Sequence, residues 1–174
     1  DVEEFRAASE SGVPDIPQAV RFLHTIARSQ VPLVAAVDGL AIGIGTTMLL
    51  HCDYVVASEA ARFATPFSAL GLVPEGASTL LAPRLMGLQR AFALLVMGRA
   101  MSAQDGFQAG FVNEVVPSGE ANHAARKVAH EIARLPPQAV RIARRLIHGA
   151  PDDIVARIDD EAEHFRDRMN SAEA

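Results

Sequence analysis

The stretch from residue 33 to residue 58 restricts the possible folds of this chain most strongly. It begins with a short, fully apolar run of strand-forming residues (LVAAV, 33–37), passes a glycine-rich turn into a buried helix (TTMLLHC), and ends in a second strand pattern (DYVVAS, 53–58). Strands that are apolar on both faces are typical of parallel sheets covered on both sides. Strands and helices that alternate over short connections therefore predict an α/β fold with a parallel sheet.

The rest of the chain extends this pattern and then becomes entirely helical. Residues 1–12 are expected to be helix or loop, and two further short strands are expected at 61–65 and 111–116. Apolar spacing together with Gly and Pro breaks predicts the helices, at 17–30, 77–86, 88–97, 102–109, 118–135, 137–148 and 151–171. We therefore divide the chain into an α/β part, residues 1–117, and a helical part, residues 118–174.

Composition and charge narrow the classes of function. A chain of 174 residues with 49% hydrophobic content suffices for one domain with its own core. The net charge of −5, with one lysine and no basic stripe, argues against a nucleic-acid partner. The apolar runs are too interrupted for a transmembrane helix, so no membrane partner is expected. The single cysteine fits a reducing compartment; we predict the cytoplasm, with the peroxisome and the mitochondrial matrix left open.

Glu75 is the one ionisable residue between Arg62 and Arg84, in the run FATPFSALGLVPEGASTLLAP. Few neighbours can solvate or pair a carboxylate there, which would raise its pKa from about 4.3 toward ~6–7. A carboxyl group in that range can take and return protons near neutral pH. Pro74 and Gly76 predict a turn, a common position for catalytic groups. The alternative is a solvated surface glutamate in a Pro-Gly turn.

The segment that joins the first strand to the buried helix contains Gly43 and Gly45. These glycines permit a tight turn and a close approach of another molecule to the backbone N–H groups. A helix that begins there offers N–H donors suited to a phosphate or to a carbonyl oxyanion. The segment lacks the lysine of a phosphate loop and the third glycine of a dinucleotide fingerprint. A plain strand–helix turn remains the alternative.

The stretch VPLVAAVDGLAIGIGTTMLLHCDYVVASEAARFATPFSALGLVPEGAS resembles the central part of the crotonase family, the enoyl-CoA hydratase/isomerase superfamily. Its motifs occur in the family's order and spacing, and a further motif runs from Gly87 to Val112. The resemblance covers about residues 1–170. It implies a crotonase-type ββα spiral core followed by an all-helical trimerisation region. The family's first third and last helix have no visible counterpart, so we expect the chain to be truncated at both ends.

The resemblance also implies an oxyanion hole of two backbone N–H groups. One donor matches Ile44, in place of a family glycine, and the second would lie immediately upstream of Asp1. The two glutamates that hydratases of this family use match Thr47 and Phe67, neither of which is acidic. An ordinary hydratase is therefore disfavoured.

The string TPFS-x-LG-x-x-PEG-x-S is similar to the peroxisomal type of Δ3,Δ2-enoyl-CoA isomerases, in which the glutamate of the PEG turn is the single base. The resemblance implies catalytic roles for Glu75 and the N–H of Ile44. It further implies substrate contacts, at Leu40, Gly43, Thr47, Phe67, Leu70, Gly71 and Leu72. An acyl-CoA is the implied small-molecule partner, with no cofactor beyond the CoA of the substrate and no metal. The family assembles as homotrimers or dimers of trimers.

Three alternatives remain open. The chain could be an enoyl-CoA hydratase or another crotonase-type acyl-CoA lyase or hydrolase. It could be a non-catalytic scaffold with a crotonase fold, although a scaffold has no need of an isolated carboxylate in an apolar loop. A nucleotide-binding protein is disfavoured by the missing lysine. The run His51-Cys52-Asp53 is better explained as the end of a core helix than as a metal site, because consecutive residues on a helix point in different directions.

Overall fold

Two small sheets form the centre of the chain. The computed structural model describes residues 16–173. In the first sheet, β1 (Val34–Val37) pairs in parallel with β3 (Tyr54–Ser58), and β3 pairs in parallel with β6 (Glu114–Val116). Three successive residues of β3 are at most 1% exposed, so both faces of the central strand are covered. This is the burial that its uniformly apolar sequence predicts.

The second sheet contains two strands that the sequence pattern did not indicate. β2 (Leu40–Ile42) pairs in parallel with β4 (Arg62–Ala64), and β4 pairs antiparallel with β5 (Met101–Ser102). Residues 40–42 were expected to belong to a turn, and that expectation is wrong. A strand of two or three residues is too short to show an alternation of apolar and polar side chains, so periodicity carries no signal there.

Eight α-helices and two 3₁₀ turns surround these sheets in the described part of the chain. In chain order they are α1 (Ile16–Ala27), α2 (Ile44–Thr47), the 3₁₀ turn Met48–His51, the 3₁₀ turn Ser68–Leu70, α3 (Ser78–Met86), α4 (Leu88–Leu95), α5 (Ala103–Ala109), α6 (Ala121–Ala133), α7 (Pro137–His148) and α8 (Asp152–Met169). The buried segment after Gly43 is thus one α-helical turn followed by a 3₁₀ turn. The helix or loop expected at 1–12 lies outside the described residues, and the division at 117/118 stays a prediction. No helix among the described residues is both long enough and apolar enough to span a bilayer.

Helix α8 folds back against α1 at the start of the described chain. Ile154 and Ile158 of α8 form a buried cluster with Leu23 of α1 and with Ala77, which precedes α3. The apolar residues of α8 recur at the four-residue spacing that places them on one helix face. This packing holds the last described helix directly against the turn that contains Glu75.

Helix α7 is attached mainly through Asp53. The Asp53 carboxylate accepts hydrogen bonds from Arg144 Nε (2.9 Å), from His148 Nε2 (2.7 Å) and from the N–H of Leu33 (2.7 Å). Burial alone would raise the pKa of Asp53, but these bonds outweigh it and lower the pKa. No residue of α7 is buried within this chain. The polar contacts of Arg144 and His148 with Asp53 connect the helix to the rest of the chain.

The main core lies between the second sheet and helices α3 to α5. Phe63 and Phe111 meet edge to face, with ring centroids 5.0 Å apart. Gly106 of α5 lies against both rings: a Cβ atom there would be 2.8 Å from Val112 Cγ2, 3.0 Å from Phe111 Cζ and 3.2 Å from Phe63 Cε2. The absence of a side chain at this position lets α5 approach the core closely.

Gly106→Ala is expected to destabilise the protein by about 1–3 kcal/mol, because overpacking a dense core outweighs the better helix propensity of alanine. Gly39→Ala is the matched control, since a Cβ at Gly39 would meet no atom within 4 Å; it should change the free energy of unfolding by no more than about 0.5 kcal/mol. Denaturant unfolding measures both. Equal stability of the two variants would contradict the packing described for α5.

Candidate active site

The turn from Pro74 to Ser78, which carries Glu75, has an unusual backbone conformation. Gly76 has a φ of 72° and the next residue, Ala77, a φ of 55°; Ala77 is the one non-glycine residue with positive φ in the described part of the chain. A left-handed alanine costs roughly 1–2 kcal/mol and persists where its surroundings enforce it. Ala77 is fully buried in the cluster that joins α1 to α8. Packing therefore holds the turn in its strained form.

The Glu75 carboxylate accepts a hydrogen bond from the Thr47 hydroxyl, with Oγ1 and Oε1 2.5 Å apart. Thr47 is fully buried at the end of α2, 28 residues earlier in the chain. A glycine beside this contact suits both the positive φ of Gly76 and the limited space, because a Cβ there would lie 3.3 Å from the Thr47 hydroxyl and 3.3 Å from Leu23 Cδ2. The structure thus brings together two of the residues that the sequence singled out, Glu75 and Thr47.

His51 forms a hydrogen bond with the backbone of the same turn. Its Nε2 lies 2.7 Å from the carbonyl oxygen of Gly76, so this nitrogen must carry the hydrogen and donate it. Burial lowers the pKa of His51, which keeps the imidazole neutral. Its neighbour Asp53 points instead to Arg144 and His148. No group of three His, Cys, Asp or Glu side chains among residues 16–173 is arranged to hold a metal ion.

Burial raises the pKa of Glu75 from 4.5 to about 7. The Thr47 hydrogen bond acts in the opposite direction, since it favours the carboxylate, and the negative charge of Glu161 adds to the rise. The expected rise from an apolar loop is therefore confirmed. A carboxyl group with this pKa is ionised in about half of the molecules at neutral pH and can act as a base that also returns its proton.

The glycine turn lies at the other end of α2. Gly43 has a φ of 57° and a ψ of −121°, and its N–H donates to the carbonyl oxygen of Ala64 (2.8 Å). The N–H groups of Thr46 and Thr47 donate to Gly43 O. Ile44 is the first helical residue, where the helix provides no acceptor for the N–H. The predicted oxyanion donor and Thr47 thus lie on the same helical turn.

Phe67 and Leu72 are both buried, and Phe67 lies beside the glycine turn. The N–H of Leu72 donates to Phe67 O (2.9 Å), and a Cβ at Gly43 would lie 4.0 Å from the Phe67 ring. The Phe67 ring also meets Phe165 of α8 edge to face, with centroids 6.4 Å apart. These apolar residues form a wall next to the N-terminus of α2.

The other predicted substrate contacts are more peripheral. Leu70 is 49% exposed. Gly71 has a φ of 70°, and its carbonyl oxygen accepts a hydrogen bond from Arg168 Nε (3.0 Å). Leu40 is 76% exposed and lines an open groove of about 460 Å³ along β1, which Glu75 does not line. No described contact joins Leu40 to Glu75, so its role as a substrate contact stays a prediction.

Sequence reasoning missed Glu161, the other buried carboxyl group near the Glu75 turn. Glu161 lies on α8 and is 5% exposed; its Oε1 accepts hydrogen bonds from the N–H (3.0 Å) and the hydroxyl (2.5 Å) of Thr79. The helical spacing contained a signal, because Glu161 follows Ile158 by three residues and Ile154 by seven, and so falls on the apolar face. A carboxylate on the buried face of an amphipathic helix indicates a specific partner.

Comparison with known proteins gives consistent matches. The model of the enoyl-CoA hydratase/isomerase family matches residues 16–174. Enoyl-CoA delta isomerase 2 of Rattus norvegicus is 38% identical over 126 residues, which are 72% of this chain and 32% of that protein. Carnitinyl-CoA dehydratase of Salmonella typhi is 32% identical over 146 residues, 82% of this chain and 56% of that protein.

A solved structure shows the same fold. The crystal structure of an enoyl-CoA hydratase/isomerase from Pseudoalteromonas atlantica T6c is 41% identical and aligns with a TM-score of 0.86, over 88% of this chain and 62% of that one. This likeness confirms the expected crotonase-type α/β fold. The chain spans less than two thirds of the length of each of these three proteins.

Glu75→Gln is expected to stabilise the protein at alkaline pH and to change little at pH 5. The fold favours the neutral carboxyl, so this contribution is full below pH 4.5 and is lost as the pH rises through about 7. The difference between 4.5 and about 7 corresponds to at most about 3 kcal/mol at pH 8.5. Denaturant unfolding of both proteins at the two pH values tests this. A difference that does not depend on pH would contradict the desolvation of Glu75.

Proposed function

The chain belongs to the enoyl-CoA hydratase/isomerase family, and we propose that the protein is an isomerase that converts 3-enoyl-CoA to 2-trans-enoyl-CoA with Glu75 as its one base. The observation that carries the proposal is the desolvated carboxyl of Glu75, with a pKa raised to about 7 and a hydrogen bond from Thr47. The isomerase relative of Rattus norvegicus supports the same choice within the family.

The reaction needs one group that carries a proton between two carbon atoms of the substrate. The Glu75 carboxylate removes a proton from C2 of the 3-enoyl thioester, which leaves a dienolate with negative charge on the thioester oxygen. The neutral Glu75 then returns this proton to C4, and the double bond shifts from C3–C4 to C2–C3. A pKa near the working pH suits both steps, because the group must be a base in one and an acid in the other.

The N–H of Ile44 is the proposed donor to the thioester oxygen. A backbone N–H that already points toward the developing charge stabilises the dienolate without reorganisation. Gly43 gives the backbone at this point its positive φ, and α2 adds the positive end of a short helix. The second donor implied by the family resemblance would lie outside the described residues.

Phe67 and Leu72 are the proposed wall of the acyl site. Both side chains are buried, and Phe67 lies beside Gly43. An apolar wall excludes the water that hydration would require. Gly43, Thr47, Leu70, Gly71 and Leu40 remain proposed substrate contacts. The proposed partner is an acyl-CoA, with no cofactor beyond its CoA.

A dehydratase or hydratase is the second candidate, because Carnitinyl-CoA dehydratase of Salmonella typhi is a relative over 82% of this chain. Addition or loss of water needs a group for the α-proton and a group for the oxygen. Thr47 and Phe67 occupy the positions that the family resemblance assigns to those two groups, and neither can ionise near neutral pH. A non-catalytic scaffold is the weaker alternative, since it leaves the strained turn and the desolvated carboxyl without a purpose.

The proposed assembly is a homotrimer or a dimer of trimers. Two helices expose large apolar side chains that a free surface rarely collects: Leu88 (68%) and Phe92 (53%) on α4, and Leu146 (75%) and Ile147 (82%) on α7. A second copy of the chain is the proposed cover for these residues. The proposed location remains the cytoplasm, on the basis of the single cysteine.

Incubation with 3-hexenoyl-CoA in deuterated water tests the proposed activity. The wild-type protein should form conjugated 2-enoyl product, followed by absorbance and mass, and Glu75→Gln should reduce kcat by about 10²–10⁴-fold. Glu163→Gln, an exposed glutamate of α8, is the matched control and should keep full activity. Turnover that survives Glu75→Gln would place the chemistry on another residue; hydration without isomerisation would favour the second candidate.

Thr47→Val should move the acid limb of the pH–rate profile to higher pH. The substitution removes the hydrogen bond that favours the Glu75 carboxylate, so burial raises the pKa of Glu75 further. Thr46→Val is the matched control, because the buried Thr46 hydroxyl donates instead to Ala41 O (2.6 Å). This control should lose stability without a shift of the limb. Equal profiles for the two variants would contradict the role given to Thr47.

A further inference from the structure

The N-terminal turn of α3 holds a second carboxyl group next to the turn of Glu75. Glu161 reaches this point from α8, and its Oε1 accepts both the N–H and the hydroxyl of Thr79. Thr79 follows Glu75 by four residues and lies in the first turn of the nine-residue helix α3. The contact therefore ties α8 to the segment that positions the base.

This anchoring uses one of the two carboxylate oxygens. Glu161 Oε2 is buried and has no hydrogen-bond partner among the described residues. Burying a carboxylate oxygen without a partner costs free energy, and a glutamine could make the same two contacts with Thr79 through its carbonyl oxygen without burying a charge. Anchoring alone does not explain why this residue is an acid.

The negative charge of Glu161 raises the pKa of Glu75. Burial raises the pKa of Glu161, while the Thr79 hydrogen bonds, the nearby backbone N–H of Ala77 and the positive charge of Arg157 lower it. Arg157 reaches Thr79 Oγ1 (Nη1, 3.0 Å). His51 is kept neutral by burial.

Two further side chains that contact α8 or belong to it, His24 and Arg168, have other partners. His24 of α1 reaches α8 but binds Asp159 there, with Nε2 and Oδ1 2.8 Å apart. Arg168 of α8 donates to the backbone of Gly71 and binds the carboxylate of Glu173. Neither side chain is therefore a hydrogen-bond partner of Glu161 Oε2.

We propose that Glu161 is a positioning residue for the reaction, which anchors the turn carrying Glu75 and keeps a second negative charge beside that base. The proposal rests on the proposed function, in which Glu75 is the base. A like charge nearby favours the protonated form of Glu75. It therefore makes the Glu75 carboxylate a stronger base toward C2 and keeps the proton on Glu75 until C4 receives it.

The pH–rate profile of Glu161→Gln tests the proposal. With a pKa of about 7 for Glu75, wild-type kcat/KM at pH 6 should be about one tenth of its plateau. Glu161→Gln keeps an oxygen for Thr79 and removes the charge, so its acid limb should move to lower pH and its relative rate at pH 6 should be higher. The exposed Glu163→Gln should follow the wild type. A Glu161→Gln profile with a lower plateau and an unmoved limb would overturn the proposal, because a purely structural anchor gives that result.

A substrate-free titration separates this proposal from the proposed function. If wild-type protein turns over no 3-enoyl-CoA, the function fails, yet the coupling of the two carboxyls can still be measured. In protein with ¹³C-labelled glutamate carboxyls, the Glu75 resonance, assigned with Glu75→Gln, should show its own inflection and a second one where Glu161 titrates. The same wild-type spectra decide the matter if Glu161→Gln does not fold. A single inflection for Glu75 would overturn the proposal.

Discussion

The hydrogen bond from the Thr47 hydroxyl to the Glu75 carboxylate joins the two halves of the site. One partner ends the short helix after the glycine turn and the other lies in the strained turn before α3, 28 residues later. Desolvation and the negative charge of Glu161 raise the pKa of the carboxyl, and the Thr47 hydrogen bond limits the rise, which leaves the pKa at about 7. The left-handed Ala77 and the restricted space beside Gly76 lie in the same turn as Glu75.

The helical part of the chain contributes residues to this arrangement through α8. Helix α8 packs on α1, places Phe165 against Phe67 and brings Glu161 to the first turn of α3. The surroundings of Glu75 therefore include contacts between residues far apart in the sequence. The hydrogen bond from Thr79 to Glu161, for example, joins residues 82 positions apart. Substitutions in α8 that remove the charge of Glu161 should therefore lower the pKa of Glu75.

Local patterns predicted the larger elements well because each of them carries a clear signal. The strand at 33–37, the amphipathic spacing of α8 and the isolation of Glu75 in an apolar run are all readable from neighbouring residues. The short strands at Leu40–Ile42 and Met101–Ser102 are not, since pairing with β4, rather than local preference, makes them strands.

The same limit applies to the site. Sequence isolation predicted the raised pKa of Glu75, but the Thr47 donor and the Glu161 charge come from long-range packing. Thr47 was singled out as a substrate contact and not as a partner of Glu75. Glu161 sits on an apolar helix face whose charge pattern could have revealed it, although nothing local indicates that it reaches Thr79.

The most direct measurement of the central claim is an infrared titration of the Glu75 carboxyl, taken as the difference between wild type and Glu75→Gln. A desolvated Glu75 should give a protonated carboxyl band that is present at pH 5 and disappears with a midpoint at about pH 7. A band that disappears near the ordinary value of about 4.5 would contradict it, because Glu75 would then be a solvated surface carboxylate rather than a desolvated base.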